Sequence, residues 1–369
     1  MKITLGEVGT YINGYAFKPS DWGTSGLPII RIQNLTNQNT IPNYFDGPYN
    51  SKFEVNKGDI LIAWSGSLGI HVWQKNKALL NQHIFRVEFN KCEIDKMYFY
   101  HAVKYNIHKM LHLTHGATMR HIVKSDFEQI MIPYPSLDVQ AKISKILNYL
   151  EQNIINYRTI LSKLELLIKS RFVEIFGDPN ASRTKYKLVP IHMVTDCMVP
   201  GRDKPKSFTG EIPWITINDL IINGYTNKSK IGLGLTIDEV KEVNRKCVPQ
   251  GSVLMSCVGN LGLCSIASVD VVINQQLHSY QCNELINNLY LMYYLSFKNT
   301  YMNKVASSTT VLYMNKHVCN NIPVLLPPIE LQISFAKYLN QINKLKSDVQ
   351  KSIDETQLLM DSLMQEYFG

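Results

Sequence analysis

This 369-residue chain is expected to fold as an α+β protein. Two pseudo-repeated mixed α/β domains should be joined by two long antiparallel coiled-coil helices. Three features predict this. The chain ends in SLMQEYFG (362–369) and carries SRFVEIFG (170–177) near its middle, an offset of 192 residues. Each phrase closes a long run of apolar residues spaced by threes and fours. Each run follows a larger segment of short β-prone stretches broken by Gly and Asn.

The repeat extends well beyond eight residues. At offset 192, Pro135 falls on Pro327, Gln140 on Gln332, Leu147-Asn148 on Leu339-Asn340, and Phe176-Gly177 on Phe368-Gly369. Lys124 meets Lys316 and Thr118 meets Thr310 at the same offset. At offset 193, VNKGDILIAWSGSLGI (55–70) lies on VPQGSVLMSCVGNLGL (248–263), and Asn81-Gln82 on Asn274-Gln275. At offset 185, LPIIRIQNL (27–35) resembles IPWITINDL (212–220). Solenoid repeats are far shorter, so two units of this size make a pseudo-dimer within one chain. Four segments follow: mixed domains at 1–134 and 178–326, spacer helices at 135–177 and 327–369.

Taken in order, LPIIRIQNL and IPWITINDL alternate like strands and end in polar turns. GDILIAWSGSLGIHVWQ (58–74) and GSVLMSCVGNLGLCSIAS (251–268) read as strand, turn, strand, with glycines 66, 69, 259 and 262 as turn formers. Residues 95–113 and 287–305 read as amphipathic helices. The long helix then begins. Its apolar residues fall at 139, 143, 147, 150, 154, 157, 161, 164, 168, 172 and 175, and in the second copy at 331, 335, 338, 342, 345, 349, 353, 359, 363 and 367. An even mixture of threes and fours keeps the stripe narrow, as in a coiled-coil seam. Prolines 133, 135, 327 and 328 precede the helices, where a missing N–H costs nothing, and Gly177 suits a C-terminal cap. A helix of about 38 residues is ~57 Å long, and the natural partner for so narrow a stripe is the other helix.

The net charge is +8. Residues 1–134 and 178–326 each hold 14 Lys and Arg against 10 Asp and Glu. The spacer segments are 6 against 4 and 4 against 6, so the excess sits mainly in the mixed domains, as suits a polyanionic partner. No apolar run reaches the ~20 residues that cross a bilayer, and MKITLGEVGT has no apolar signal core. A soluble cytoplasmic chain with no membrane partner is expected. Seven cysteines without a CxxC pair read as reduced and structural.

Catalytic motifs are missing. There is no GxxxxGK[ST], GxGxxG, HExxH or GxSxG, and no convincing PD…ExK. In place of the [DN]PP[YF] of adenine methyltransferases stands only LPPI (326–329). FGDP (176–179) reads as a helix stop. His101, His108, His112 and His115 share roughly one helix face, which offers a metal site, a half-buried face or phosphate contacts. The second copy places Tyr293, Thr300 and Lys304 opposite the first three, which argues against a metal site needed in both halves. The mixed domains therefore read as binding modules without catalysis. YINGYAFKPSDW (11–22) and MVPGRDKPKSF (198–208) keep a glycine and diverge after it, as two modules reading different things should.

The internal repeat and the Pro-rich helix starts IPYPSLDVQAKI and LLPPIELQISF resemble the specificity (S) subunits of Type I restriction-modification enzymes. So do GDILIAWSGSLG, NQHIFRV and GATMRHIVKSDFEQIMIPYP. The likeness covers essentially the whole chain. It implies two target-recognition domains, each reading one half of an asymmetric bipartite site in double-stranded DNA. It implies a non-catalytic chain that docks two modification subunits, with two restriction subunits as further partners. S-adenosylmethionine, ATP and Mg are then expected in the partner subunits, and no cofactor or metal in this chain.

Base readout needs polar side chains on loops, and phosphate contacts need Lys, Arg or backbone N–H groups. The candidates in the first domain are Arg31, Gln33, Asn34, Trp64, Ser65, Ser67, His83, Thr118, Arg120 and Lys124. In the second they are Arg202, Lys204, Lys206, Asn218, Asn260, Gln276, Thr309, Thr310, Tyr313 and Lys316. Asn81 and Asn274, matched in both copies, read as structural. The alternative is a non-DNA adaptor with two ligand-binding modules on a coiled-coil stalk. It would need no basic bias and would expose aromatic platforms.

Overall fold

The structure is a computed structural model describing residues 1–37, 39–112, 121–181, 183–201, 203–308 and 311–369. It divides into two compact units, residues 1–159 with 350–369 and residues 160–349. The long helices Leu137–Phe176 and Ile329–Phe368 have 40 residues each, and each gives one part to each unit.

In the first unit Lys2–Thr4 pairs antiparallel with Met131–Pro133 and closes the globular part. Leu188–Pro190 does the same with Pro323–Leu325 in the second. Between the closures lie two sheets. The larger sheet of the first unit runs Thr10–Asn13, Ile84–Glu88, Ile60–Ala63, Gly69–Val72, all antiparallel. Its counterpart runs Thr195–Met198, Leu277–Cys282, Val253–Ser256, Cys264–Ala267, with Tyr225–Thr226 added in parallel. The smaller sheets centre on parallel pairs, Leu27–Ile30 with Ala78–Leu80 and Ile212–Ile215 with Val272–Ile273. One topology is built twice, as the repeat requires.

The repeated glutamines show how each long helix is attached. Gln140 and Gln332 are wholly buried. Gln140 accepts from the Asp95 N–H (3.0 Å) and donates to the Pro135 carbonyl (2.8 Å). Gln332 accepts from the Asn287 N–H (2.9 Å) and donates to the Pro327 carbonyl (2.9 Å). Asp95 and Asn287 in turn cap the N–H groups that open the helices Lys96–His112 and Asn288–Phe297, so one amide ties two helix starts together.

Helix pairing is seen in each unit. In the second, Phe335 meets Phe172 and Phe176 at ring-centroid distances of 5.4 and 5.5 Å, and Arg171 lies over Tyr338. Lys346 pairs with Glu165. Higher numbers on one helix meet lower numbers on the other, so the pair is antiparallel. In the first unit Ile154, Ile155 and Arg158 share a groove with Gln357, Met360 and Asp361, in the same register. The stripes also enter the globular cores. Phe172 and Phe176 pack with Tyr290 in the second unit, and Phe368 packs on Tyr98 in the first.

Three local expectations are corrected. The strands after Leu27 and Ile212 last four residues each and then turn helical. The cause is a side-chain oxygen three residues further on: Asn34 accepts from the Arg31 N–H (3.0 Å), and Asp219 from the Thr216 N–H (2.8 Å). The helix expected over 287–305 breaks at Lys298 into Asn288–Phe297 and Asn299–Val305, because Lys298 turns inward and donates to the Pro179 carbonyl at 2.9 Å. The seam of the last helix runs through Leu339, Met360 and Met364, while its Leu345 and Leu359, and Val139 of the first long helix, face solvent. Gly177 has φ +85° and donates to the Val173 carbonyl (2.8 Å), which is the left-handed cap expected there. Among the glycines taken as turn formers, 66, 259 and 262 have positive φ, whereas a Cβ on Gly69 would lie 2.9 Å from the His71 ring.

His278 gives the second unit a pH dependence. It lies in the interior strand Leu277–Cys282, 1% exposed, with Nε2 3.0 Å from Asn320 Oδ1. Burial pushes its pKa down to about 4, Lys316 adds to this, and the Asn320 hydrogen bond opposes it. A folded-state pKa below the unfolded value of about 6.5 means stability is intact above that value and is lost as pH falls toward about 4. His278→Gln should therefore remove about 1–2 kcal/mol of the loss seen between pH 7 and pH 5. Urea midpoints of the two proteins at both pH values measure it; parallel losses would contradict the assignment.

Candidate nucleic-acid interface

Each unit gathers loops at one end of its sheets. In the first unit the strand Ile60–Ala63 runs out into Trp64, whose N–H donates to the His83 carbonyl (3.1 Å). The Trp64 carbonyl accepts from the Ile122 N–H (3.0 Å), and Ser65 bridges to His121. In the second unit the Cys257 N–H donates to the Gln276 carbonyl (2.8 Å). The Cys257 carbonyl accepts from the Met314 N–H (2.9 Å), and Val258 bridges to Tyr313. The same three-way backbone junction thus recurs with different side chains: Trp64, His83 and Ile122 against Cys257, Gln276 and Met314. A neighbouring loop joins each junction, since the Asn81 N–H donates to the Ile30 carbonyl (3.3 Å) and the Asn274 N–H to the Ile215 carbonyl (3.0 Å).

The candidates fall into two groups. Some serve the frame of the junction. Trp64 donates from Nε1 to Asn13 Oδ1 (3.2 Å) and stacks on Phe85. Ser65 is buried, and Asn34 spends its amide on the Arg31 N–H and the Thr40 carbonyl. Gln276 accepts from Asn274 Nδ2 at 2.9 Å, and Asn274 also accepts from the Gln276 N–H, which makes Asn274 structural as expected. Lys124 braces the first unit, donating to the Tyr11 carbonyl (3.1 Å) and lying 3.7 Å from Glu128. His83 sits at φ 72°, edge-on to Trp64, and burial with help from His121 holds its pKa below the usual range. His101, from the histidine row, is buried with Nε2 2.8 Å from Asn148 Oδ1.

Others face solvent: Gln33, Ser67, Lys204, Asn218, Asn260, Tyr313 and Lys316, with Lys206 3.5 Å from Glu242. Arg31 is half-buried, its guanidinium 4.6 Å above the Trp22 ring. Stacking on an indole holds a planar fork in one orientation, which suits bidentate recognition of a base edge. Thr118, Arg120, Arg202, Thr309 and Thr310, like His115, lie outside the described residues.

Sequence reading missed several supporting residues. Trp22 and Asn13 position Arg31 and Trp64. Arg245 donates to the carbonyls of Asp203 (2.6 Å) and Ile273 (3.2 Å) and lies over Trp214, so it fastens the loop bearing Lys204 and Lys206 to the sheet. Glu239 accepts from Ser207 (2.5 Å) and from the N–H and hydroxyl of Thr209. Those bonds and the Thr236 N–H pull its pKa to about 2. The run TIDE (236–239) is a capping-box signature that marks Glu239; nothing local marks Arg245.

A family model described as the Type I restriction modification DNA specificity domain matches residues 1–166 and 199–356. The Type I restriction enzyme EcoBI specificity subunit of Escherichia coli is 26% identical over 171 residues, 46% of this chain but only 36% of that subunit's length. The MjaVIII specificity subunit of Methanocaldococcus jannaschii is 24% identical over 329 residues, 80% of this chain and 75% of that one. Among solved structures, the S subunit of a Type-I restriction-modification system from M. genitalium superposes with a TM-score of 0.62 at 14% identity, covering 100% of this chain and 96% of the other. A chain of a type I R-M system gives 0.58 at 18% identity, covering 100% and 97%. At such identities the likeness shows the fold.

Proposed function

We infer the function from one premise: the chain belongs to the Type I restriction modification DNA specificity family. On that premise it is the DNA-recognition subunit of a restriction-modification system. Each unit reads one half of a bipartite target through its loop junction. The observation that carries this reading is the junction itself, one backbone frame built twice and furnished with different side chains. A shared frame gives both units the same approach to a duplex, and different side chains give different half-sites, so the target is asymmetric.

The two long helices act as the spacer between half-sites. Modification subunits dock one on each half, and restriction subunits join them. Chemistry belongs to those partners: S-adenosylmethionine, ATP and Mg bind there, and this chain contributes recognition without catalysis. The absence of phosphate-loop and methyltransferase motifs supports that division of labour. Among the described residues no helix is long and apolar enough to cross a membrane, and a cytoplasmic location fits a DNA partner.

The test is to sequence methylated adenines in a host with and without the gene. One asymmetric two-part sequence should appear with it; no new methylated sequence, or a palindromic one, would defeat the reading. Side-chain contributions should be local. Arg31→Ala should cost about 1–3 kcal/mol in binding and relax a position in one half-site only. Lys316→Ala should weaken binding across sequences and lower the slope of log K against log salt by about 1. Binding titrations across a salt series, with substituted half-sites, separate the two effects.

A further inference from the structure

The first unit holds a cleft of about 440 Å³ lined by Tyr15, Phe17, Asp21, Phe45, Tyr49 and Phe53. The rings of Phe17 and Phe53 lie 4.9 and 5.5 Å from Tyr15, and Phe45 lies 5.1 Å from Phe17, mostly edge-on or tilted. This is not a closed core, because Tyr15 is 47% and Tyr49 is 40% exposed. The exposed rings are nonetheless held in place. The Tyr49 hydroxyl donates to Glu54 (3.0 Å), which pairs with Lys77 (2.8 Å). The backbone of Tyr15 is fixed at both ends: its N–H donates to the Leu80 carbonyl (2.9 Å) and its carbonyl accepts from the Gln82 N–H (2.8 Å).

Those contacts place the cleft beside the loop at 81–83, which is part of the reading junction. Lys52 Nζ stands 4.9 Å above the Phe53 ring and puts a cation at the rim. Rings, a rim cation and a carboxylate together suit one ligand chemistry. The rings stack on a planar heterocycle, the cation meets its phosphate, and the carboxylate accepts from an exocyclic amino group. The second unit differs here. With Gly14 placed on Gly201, Tyr15 and Phe17 meet Arg202 and Lys204.

We propose that this cleft takes one unstacked nucleobase of the duplex, extruded within or beside the half-site read by the first unit. The proposal rests on the DNA-recognition reading above. Extrusion costs the duplex a stacked pair, and a mismatch at the extruded position has already lost part of it. A mismatch there should tighten binding, whereas a mismatch at a position read by direct contacts weakens it.

The experiment uses the assembled modification complex and duplexes carrying the mapped target, with one base pair mismatched at a time across both half-sites and their flanks. With the unaltered chain, one position on the first unit's side should bind about tenfold tighter when mismatched. Tyr15→Ala and, separately, Tyr49→Ala should each reduce that gain to twofold or less. Both side chains are solvent-facing, and an unchanged melting temperature confirms that each variant folds. The adenine that a modification subunit itself extrudes is told apart because it is the methylated base, and its mismatch gain should survive both substitutions. Gains found only at that adenine, or gains insensitive to Tyr15 and Tyr49, would overturn the cleft proposal while sequence-specific binding stood. Loss of all sequence-specific binding by the unaltered complex would instead strike the functional reading beneath it.

Discussion

Removing residues 154–160 together with 351–357 should shorten the unread gap between the two half-sites by about three base pairs, since seven helical residues span ~10 Å and a base pair rises ~3.4 Å. The choice of the second heptad follows from the register. Glu165 pairs with Lys346, and Ile154 shares a groove with Gln357, so 351–357 lies opposite 154–160. A heptad from each helix keeps both seams in phase. It removes one layer containing Ile154 and Ile353, both nearly buried, and leaves the aromatic ends of the pair intact. Removing either heptad alone would push every later layer out of register, so the single deletions should fail to bind. Three base pairs also turn the duplex by roughly 100° at 10–10.5 base pairs per turn, so the paired deletion should bind more weakly even at its new gap. Methylated-site mapping reads the outcome. An unchanged gap at full affinity would show that the helices do not set the distance, and a change in the bases read would show that they do more than that.

Phe172→Ala should be among the most destabilising single substitutions in the second unit. Phe172 is wholly buried, with ring centroids 5.0 Å from Phe176, 5.0 Å from Phe297 and 5.4 Å from Phe335, and it stacks on Tyr290 at 5.8 Å. It joins both long helices to the helix Asn288–Phe297, and no single neighbour can relax into the space it leaves. Truncation of such a ring costs about 3–5 kcal/mol, and aromatic contacts add to simple burial. For a unit of this size that lowers its melting temperature by roughly 6–20 °C. Differential scanning calorimetry should show the transition of the second unit moving and that of the first staying. Phe172→Leu, which keeps most of the apolar volume, should move it much less. A shift below about 3 °C for the alanine variant would contradict the packing described.

Much of this architecture is legible in the sequence because repetition removes ambiguity. A glutamine five residues after a proline means little once. Met twice, as Gln140 and Gln332 in register with Phe176-Gly177 and Phe368-Gly369, it marks one device used twice. The seam was less legible. Leu345 has the right chemistry for it, yet Lys346 and its partner Glu165 take the contact, because a mixed run of threes and fours allows the stripe to shift by one residue. The candidate interface was the least legible part. Its junction is a set of backbone hydrogen bonds, and backbone groups are the same whatever the side chain. That is why Trp64 and Cys257 can hold equivalent places with no resemblance between them. Trp64 and Asn34 looked like exposed readers by residue type, and only the fold shows their polar groups turned toward Asn13, Arg31 and Thr40.

The central claim is that each unit reads its own half-site. The most direct test replaces residues 1–134 with the corresponding segment of a relative of different specificity and maps methylated sites in the host. The strand pair Lys2–Thr4 and Met131–Pro133 closes that segment, so it can be exchanged whole. The account predicts that one half-site changes to the relative's sequence while the other half and the gap stay as they were. Change in both halves, or in neither, would contradict it.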